Sequence, residues 1–395
     1  MKKTIAFFWE NYEFGGVSTN LASLINSRSF KKNKIIVFTN ESNKAIKRFK
    51  ILVKNKDFKI VTFKNYLDLR FNNKLYKLFL LLLRPIVFFL TLFEIFFILK
   101  KYKIDIFISE CGGYGDFRSD LGSLIIAKLL KFPTRAVIFH HSYTRPKFWV
   151  LISNLLNSWI INFSNKFIFV SNATFQNISQ KIFFFNLKKR KIKIIDNGIE
   201  INKKKKNYKI SKIIKSKSLN GIVLSRIQED KGHEDLVKAF ILLPKKIRNK
   251  INLYFVGEGE KKYVLYLKDL IKSNKLNKNI HFVGYVKGTG RDIIRYFDFL
   301  VSPSRYFEGF GLSILESLSV GTPVISTRVG GVTGFLNKNN SILVKPFQIK
   351  EISNAIIQIY EKQKHLMNKK VNGIRLVKSK LTSEIMGEKY LNFLN

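Results

Sequence analysis

Two acidic side chains bracket a glycine-containing turn in the second half of the chain. Glu308 and Glu316 are separated by seven residues, and Gly309 and Gly311 lie between them. An apolar run before this turn predicts a buried strand, and leucines at helical spacing after Gly311 predict a helix. The first amides of a helix lack intrahelical acceptors and its dipole is positive there, so this turn could bind a phosphate. Glu316 alone could instead be an acid that complements the helix dipole.

Two cations lie at another predicted turn. Arg226 and Lys231 follow an apolar strand at 220–224 and precede an amphipathic helix. A guanidinium can hold two phosphate oxygens in a fork, and an ammonium adds a compact positive charge. A departing diphosphate requires such groups. Because basic residues are common in loops, the pair does not identify a site by itself.

Strands and helices alternate in two successive halves of the chain, and they must position these groups. Apolar runs predict strands at 3–9, 34–39, 59–63, 104–110, 134–139 and 166–171 and from 191, then at 220–224, 253–256, 297–301 and 324–326. This order predicts an α/β fold of two doubly wound, Rossmann-like domains that face each other across a cleft. We place the first domain at 1–200, a lysine-rich linker at 201–219, the second domain at 220–375, and a C-terminal helix that returns to the first domain at 376–395.

Polar or flexible residues also follow two predicted strands of the first half. Gly15 and Gly16 could lie beside a ligand, since ligands bind beyond the carboxyl ends of parallel strands, or they could form a plain tight turn. His140 and His141 follow the strand at 134–139. An imidazole suits contact with a sugar or proton transfer. Adjacent residues of an extended chain point to opposite sides, so we expect at most one histidine to face a ligand; both could be structural.

The composition is strongly basic. With 71 Lys and Arg against 27 Asp and Glu, the formal net charge is +44. This charge fits nucleic acid, an anionic membrane surface or a negatively charged substrate, and compositional bias contributes to it. A non-catalytic nucleic-acid binder is one alternative, but the sequence shows no recognisable module or basic face with base-stacking aromatic residues. The single cysteine, Cys111, excludes an intrachain disulfide and predicts a small buried side chain in a reducing compartment.

A long apolar stretch, 78–99, approaches the length of ~20 residues that would span a bilayer. Arg84, Pro85 and Glu94 interrupt it, and a span would separate strands that belong to one sheet. We therefore expect a helix that is buried or lies on a membrane surface. The lysine-rich linker is expected to be a solvated connector or, alternatively, to contact anionic lipid.

The segment from Phe297 to Gly331 resembles the donor-site signature of the retaining glycosyltransferases of family 4, the glycosyl transferases group 1. The matching residues are Pro303-Ser304, Glu308-Gly-Phe-Gly311, Leu315-Glu-Ser317, Gly321-Thr-Pro-Val324 and Gly330-Gly331, with Ser317 where alanine is usual. The turn from Arg226 to Gly232 is similar to the GR…KG element of that family, with Ser225 in place of its glycine. The resemblance covers nearly the full chain.

This resemblance implies the GT-B fold, with acceptor recognition in the first domain and nucleotide-sugar binding in the second. It implies transfer of a hexose from a nucleoside-diphosphate sugar to a saccharide or lipid-linked acceptor, with retention at the anomeric carbon and without a metal or cofactor. We expect this activity in the biosynthesis of cell-surface polysaccharide or lipopolysaccharide. Another GT-B enzyme, such as a nucleotide-sugar epimerase or a sucrose-type synthase, is the second alternative.

The resemblance also assigns roles to residues. Glu308 is expected to contact the donor sugar and Glu316 the ribose hydroxyls. The backbone around Tyr285 and Val286 would meet the nucleobase. The expected donor-binding residues are Gly15, Gly16, Arg226, Lys231, Tyr285, Val286, Glu308, Gly309, Phe310, Gly311, Leu312 and Glu316, and the expected catalytic residues are Glu308, His141, Arg226 and Lys231.

The expected location follows from the lysine excess and the apolar stretch. We predict a cytoplasmic protein that is attached peripherally to the anionic inner face of the cytoplasmic membrane. A nucleoside-diphosphate sugar and a saccharide or lipid-linked acceptor are its predicted partners, and nucleic acid is not.

Overall fold

A computed structural model describes residues 2–10, 14–65, 83–112, 118–142, 150–180, 191–201, 207–214, 218–361 and 366–395. The chain forms two compact units. The first contains Met1–Glu200 together with Ser383–Asn395, and the second contains Ile201–Thr382. Each unit is built around its own parallel sheet with helices packed against it, which confirms the predicted α/β fold of two doubly wound domains.

The first unit contains a seven-stranded sheet whose strands are all parallel. The sheet order is β3-β2-β1-β4-β5-β6-β7. The chain builds outward from β1 to β3 and then returns to the other side of β1, so the switch point lies between β1 and β4. The strands are β1 (Thr4–Trp9), β2 (Lys34–Asn40), β3 (Phe58–Phe63), β4 (Ile106–Cys111), β5 (Thr134–Phe139), β6 (Lys166–Phe169) and β7 (Lys191–Ile194).

Helices of the first unit close over this sheet. They are α1 (Gly16–Ile25), α2 (Arg28–Lys31), α3 (Ile46–Leu52), α4 (Arg84–Leu99), α5 (Ser119–Leu129), α6 (Val150–Ile160) and α7 (Asn172–Ser179). One core cluster contains many phenylalanines, among them Phe8, Phe107 and Phe139. Gly122 lets α5 approach α4 closely, because a Cβ there would lie 2.8 Å or less from Phe88 and Leu92. Cys111 is buried, as the sequence predicts.

The described part of the predicted apolar stretch is α4, which starts with Pro85 in its first turn. One side of α4 is buried, through Phe88, Leu92 and Ile95, and the opposite side is exposed. Residues 78–82 lie outside the described residues. Among the helices that the structure describes, none has both the length and the apolar character needed to cross a membrane.

The second unit repeats the same topology with a six-stranded parallel sheet, in the order β10-β9-β8-β11-β12-β13. Its strands are β8 (Leu219–Leu224), β9 (Ile251–Val256), β10 (Ile280–Gly284), β11 (Phe299–Ser302), β12 (Val324–Thr327) and β13 (Ile342–Val344). Its helices are α8 (Tyr208–Ile213), α9 (His233–Ile241), α10 (Lys245–Arg248), α11 (Lys261–Ser273), α12 (Gly290–Ile294), α13 (Leu312–Val320), α14 (Ile349–Glu361) and α15 (Leu366–Lys380). The switch point lies between β8 and β11, where the two predicted phosphate-binding turns follow their strands.

The predicted linker at 201–219 contains a short helix where the structure describes it, and half of its described side chains are exposed. Residues 208–213 form α8, and Ile210 is buried. The side chain of Asn207 donates to the carbonyl of Lys287 at 3.0 Å, and Lys209 donates to the carbonyl of Tyr285 at 3.2 Å. The sequence did not predict this short helix, because the buried Ile210 lies among many lysines.

The chain re-enters the first unit at Ser383 rather than at the predicted residue 376. Gly373 keeps α15 on the second unit, since a Cβ there would lie 2.9 Å from Leu318 of α13. The last helix, α16 (Ser383–Leu394), packs against α1 and α2. Its first amide donates to the carbonyl of Ile199 at 2.9 Å, which fixes the point of return.

Candidate active site

The glycine turn between β11 and α13 forms as predicted. Gly311 caps the helix with φ +82°, a left-handed conformation that favours glycine. Phe310 is buried and stacks on Phe335, with ring centroids 4.9 Å apart. These two features hold the turn rigid. The amides of Leu312 and Ser313, the first two of α13, lack intrahelical acceptors, whereas those of Ile314 and Leu315 donate to the carbonyl of Gly311.

Glu308 lies in this turn and is bound to Lys231. The ammonium Nζ is 2.8 Å from Glu308 Oε2, and the hydroxyl of Ser304 donates to the same oxygen at 3.1 Å. The carbonyl of Glu308 accepts from the amide of Gly331 at 2.7 Å. A Cβ at Gly330 would lie 2.3 Å from that carbonyl oxygen, so the predicted Gly-Gly pair permits this close approach.

Lys231 is nearly enclosed, yet it stays cationic. Burial acts to lower the pKa of Lys231, but the charge of Glu308 and the hydrogen bond to it outweigh burial, and the pKa is raised. The turn that contains Lys231 and Gly232 packs closely against the loop after β11, since a Cβ at Gly232 would lie 1.9 Å from the carbonyl oxygen of Pro303. Lys231, Glu308 and Gly311 are therefore brought together at one edge of the second sheet.

Arg226 completes the predicted pair of cations. Its side chain is exposed, and its positive charge acts to lower the pKa of Lys231. It forms no ion pair with any residue that the structure describes. It lines a cavity of about 610 Å³, together with Ile227, Gln228, Glu229, Asp230, Glu260, Tyr263 and Tyr306. An available guanidinium beside an enclosed ammonium suits the binding of a phosphate.

Glu316 is not the first-turn acid of the alternative interpretation. It is the fifth residue of α13 and is buried. Its Oε1 accepts from the amide of Gly290 at 3.0 Å, and a Cβ at Gly290 would lie within 1.9 Å of its Oε2. Burial raises the pKa of Glu316 to about 7, although the Gly290 amide and Arg291 act to lower it. This carboxyl group is thus held against the start of α12.

The predicted nucleobase-binding loop follows β10. Gly284 has φ +72°, Tyr285 is half-buried and Val286 is buried. The carbonyl of Tyr285 accepts from Lys209 of α8, so that backbone group is already partly engaged. The loop leads into α12 and hence to Gly290, which connects Tyr285 and Val286 to Glu316 along one short segment.

The remaining predicted residues belong to the first unit. Gly15 caps α1 in an extended conformation, and a Cβ there would meet nothing within 4 Å, so the fold does not itself require this glycine. Gly16 is the first residue of α1. His141 is half-buried, with Nδ1 3.1 Å from the hydroxyl of Ser142. His140 is buried, and its Nε2 is 2.5 Å from Oε2 of Glu110.

Sequence reasoning missed an arginine within the signature. Arg305 is 8% exposed and donates to both carboxylate oxygens of Asp235, at 2.8 Å and 2.6 Å. It also donates to Glu234 at 3.0 Å, and its own amide donates to the carbonyl of Asp230 at 2.8 Å. Arg305 therefore ties the loop of Glu308 to the start of α9. The sequence feature that would have indicated a buried cation is the pair of adjacent acids, Glu234 and Asp235, in a chain with few acids.

Comparison with known proteins agrees with this arrangement. Residues 204–375 match the family model described as glycosyl transferases group 1. This segment of the chain is therefore similar to the group 1 glycosyltransferases. The matched residues contain both predicted phosphate-binding turns, the buried carboxyl group of Glu316 and Arg305, so the part of the candidate donor site in the second unit falls within the matched segment.

Individual relatives are more distant. An uncharacterized glycosyltransferase of Methanocaldococcus jannaschii is 29% identical over 286 residues, which cover 70% of this chain and 71% of the relative. The O-antigen biosynthesis glycosyltransferase WclY of Escherichia coli is 26% identical over 217 residues, covering 54% of this chain and 58% of WclY. The crystal structure of HepE from Anabaena in complex with UDP and glucose has a TM-score of 0.78 and 18% identity, and the match covers 99% of each chain. This structural likeness shows the GT-B fold.

Proposed function

We propose that this glycosyltransferase moves a hexose from a nucleoside-diphosphate sugar to a saccharide or lipid-linked acceptor, with retention at the anomeric carbon. The proposed setting is cell-surface polysaccharide or lipopolysaccharide biosynthesis. WclY, with its O-antigen role, and HepE, whose structure holds UDP and glucose, support the acceptor class and the donor class respectively.

The contact between Lys231 and Glu308 at the start of α13 carries this proposal. Cleavage of the bond between the anomeric carbon and the diphosphate oxygen leaves its electron pair, and negative charge, on the leaving group. Lys231, Arg226 and the amides from Leu312 would stabilise that charge from fixed positions. Because the turn and its ion pair are already formed, little reorganisation would be required when the charge develops.

Glu308 would contact the donor sugar from the opposite side of the same ion pair. Its charge is balanced by Lys231, so the carboxylate can lie beside a diphosphate with less repulsion than an unpaired acid would suffer. Gly309, Phe310 and Gly311 would shape the floor of this pocket. Glu316 would accept from the ribose hydroxyls, and the Tyr285–Val286 backbone would contact the base.

The acceptor side is proposed to lie in the first unit. Gly15 leaves room after β1, with Gly16 next to it at the start of α1, and His141 follows the end of β5. Of the two histidines, His141 is the more exposed, since the ring of His140 is buried against Glu110. We propose that His141 contacts the sugar and the acceptor.

Protein cations are proposed to neutralise the leaving group without a metal or cofactor. Transfer should therefore proceed equally well in EDTA and in magnesium. We also propose that the reaction takes place on the cytoplasmic side of an anionic membrane, where the basic chain would meet a lipid-linked acceptor.

Binding of the nucleotide can be tested first. Thermal melting of the full chain with UDP, GDP, ADP or CDP should show an increase for one of them. Saturation at 100 times Kd adds about 2.7 kcal/mol, or roughly 5–10 °C for a domain of this size. Arg226→Ala and Lys231→Met should abolish the increase, whereas Lys272→Ala, at an exposed position on α11, should keep it.

The reaction can then be followed with radiolabelled sugars of the preferred nucleotide. Transfer or slow hydrolysis that releases the nucleoside diphosphate supports a glycosyltransferase, and NMR of the product reports the anomeric configuration. An epimerised sugar still joined to its nucleotide would identify the epimerase alternative. If no nucleoside diphosphate raises the melting temperature, or if Arg226→Ala leaves the increase intact, the proposed donor site is wrong.

A further inference from the structure

The first unit carries an apolar surface that its core does not use. On α4, the residues opposite the buried side are all large and hydrophobic, and Phe93 is 65% exposed. Phe93 and Phe97 pack edge to face, with ring centroids 4.6 Å apart, so they form a continuous ridge. The exposed residues of this ridge are Ile86, Phe89, Leu90, Phe93 and Phe97.

A second apolar stripe lies on α6. Ile152, Leu155 and Trp159 recur at helical spacing and are exposed, Trp159 by 56%. The largely buried helix α5 packs against both α4 and α6, which places the two stripes on either side of it. We call these eight residues of α4 and α6 the apolar face.

One end of the apolar face, where α4 and α5 terminate, is basic. Lys100 follows α4, and its Nζ lies 5.8 Å from the ring centroids of both Phe96 and Phe97. Lys128 is exposed beside the exposed Leu129 at the end of α5. With Lys101, Lys103 and Lys131, which are also exposed, these lysines form the basic border. Between residues 83 and 103 of the described chain the only acid is the half-buried Glu94.

This combination favours an anionic bilayer as the occupant. Aromatic and aliphatic side chains enter the interfacial layer, and lysines at its edge reach the lipid phosphates. A second copy of the chain is a poorer match, because a twofold contact through the same face would bring two basic borders together. At 16 residues α4 is about 24 Å long, and its inner side belongs to the protein core, so it would lie in the membrane plane.

We propose that the apolar face docks the first unit on an anionic lipid bilayer, with Leu90, Phe93 and Trp159 inserted and the basic border on the lipid phosphates. The surface also has a suitable position. In a parallel sheet with helical crossovers the helices run back along the strands, so the N-terminal ends of α4 and α5 lie near the carboxyl ends of the strands. That edge is the proposed acceptor side, and the basic border lies at the opposite ends of α4 and α5, so α4 would lie along the bilayer with its first turn toward a lipid-linked acceptor; this last point rests on the proposed function, whereas lipid binding does not.

Vesicle flotation of the full chain tests the two parts of the surface separately. We expect binding to vesicles of phosphatidylcholine with 30% phosphatidylglycerol, and at least tenfold weaker binding to phosphatidylcholine alone. Leu90→Ser/Phe93→Ser should weaken binding to the anionic vesicles by at least tenfold, since two exposed apolar side chains no longer enter the interface. Lys100→Gln/Lys128→Gln should weaken vesicle binding at low salt. In 0.5 M salt, which screens the charges, the binding that remains should be the same for this variant and the wild type.

A matched control is available in the second unit. Leu265 is 48% exposed, close to the 53% of Leu90, so Leu265→Ser removes a similar side chain away from the apolar face. It should bind vesicles like the wild type. The fluorescence of the wild type should be quenched by brominated lipid, and Trp159→Phe should lose most of that quenching.

Several outcomes would overturn the docking proposal. These are a lack of anionic-vesicle binding, equal binding by Leu90→Ser/Phe93→Ser and the wild type, or a stable dimer in light scattering that Phe93→Ser dissociates. Melting of each variant with the preferred nucleoside diphosphate shows whether the second unit is intact. Vesicle binding without a response to any nucleotide would support docking and refute the proposed donor site. A response to a nucleotide without vesicle binding would support the donor site and refute docking.

Discussion

Arg305 should stabilise the second unit strongly, and Arg305→Met tests this without removing the bulk of the side chain. The variant would leave Asp235, which is 5% exposed, without the cation that donates both of its hydrogen bonds. Removing one partner of a buried ion pair costs about 3–5 kcal/mol. For a domain of this size each kcal/mol shifts the melting temperature by about 2–4 °C, so we expect a decrease of about 6–20 °C at pH 7.

The pH dependence separates a buried charge from lost packing. In the wild type, burial acts to raise the pKa of Glu234, but hydrogen bonds from Lys238, Tyr266 and Arg305 outweigh it and lower the pKa to about 2. A lowered pKa gives stability that is present above the unfolded value near 4.3 and is lost as the pH falls toward 2. In Arg305→Met, Glu234 loses one of the hydrogen bonds that lower its pKa, so the deficit relative to wild type should be smaller at pH 4 than at pH 7.

Lys238→Met is the matched control. It removes another cation from Glu234, at 2.6 Å, but this pair lies at the surface, with Lys238 44% exposed. Such a pair contributes about 0.5 kcal/mol or less, or roughly 2 °C. Circular dichroism melting of both variants at pH 4 and pH 7 decides the matter. Equal shifts for the two variants, or an Arg305→Met deficit that is the same at both pH values, would refute the buried-anchor reasoning.

Three further predictions concern Glu316, its neighbour Gly290, and Gly15 of the first unit. The raised pKa of Glu316, about 7, means that stability should be highest below its unfolded value near 4.3 and fall by about 4 kcal/mol as the pH rises from there through 7. In Glu316→Gln, which keeps the acceptor for the Gly290 amide, melting should lose this fall. Gly290→Ala should displace Glu316 and weaken nucleotide binding at least tenfold by calorimetry, whereas Gly334→Ala, whose Cβ would meet nothing within 4 Å, should bind normally. Gly15→Ala should change the melting temperature by less than about 2 °C but lower the transfer rate, because its Cβ would enter open space in the proposed ligand region; an unchanged rate would remove Gly15 from the site.

The sequence predicted the strands well because each is a compact apolar run between turn residues. The strand predicted at 134–139 matches β5 residue for residue, and most others shift by one or two residues at their ends. The glycine turn before α13 was also predictable, since only a few residue types permit a left-handed helix cap such as Gly311. Sequence order could therefore supply both the sheets and the turn that precedes α13.

Side-chain partners were less accessible to sequence reasoning. Lys231 and Glu308 are 77 residues apart in the chain, and Arg305 and Asp235 are 70 residues apart, so no local pattern links them. Sequence reasoning assigned Lys231 and Glu308 separate contacts with a ligand, whereas the structure shows them bound to each other. The helix α8 was missed for another reason, because its packing depends on acceptors at Tyr285 and Lys287 that only the folded second unit supplies.

The net charge of +44 cannot itself be what selects a diphosphate in this chain. Lysines are spread over the surface, and exposed lysines attract any anion weakly and in a salt-dependent way. At the donor turn the situation differs, because Lys231 is fixed by Glu308 and Arg305 is neutralised by Asp235 and Glu234. That leaves Arg226 as an available guanidinium at a position set by its neighbours. Selectivity would then come from Glu308, Asp235 and Glu234, which orient and neutralise the neighbouring cations. Loss of Glu308 should therefore impair discrimination among anions more than it impairs binding of polyanions.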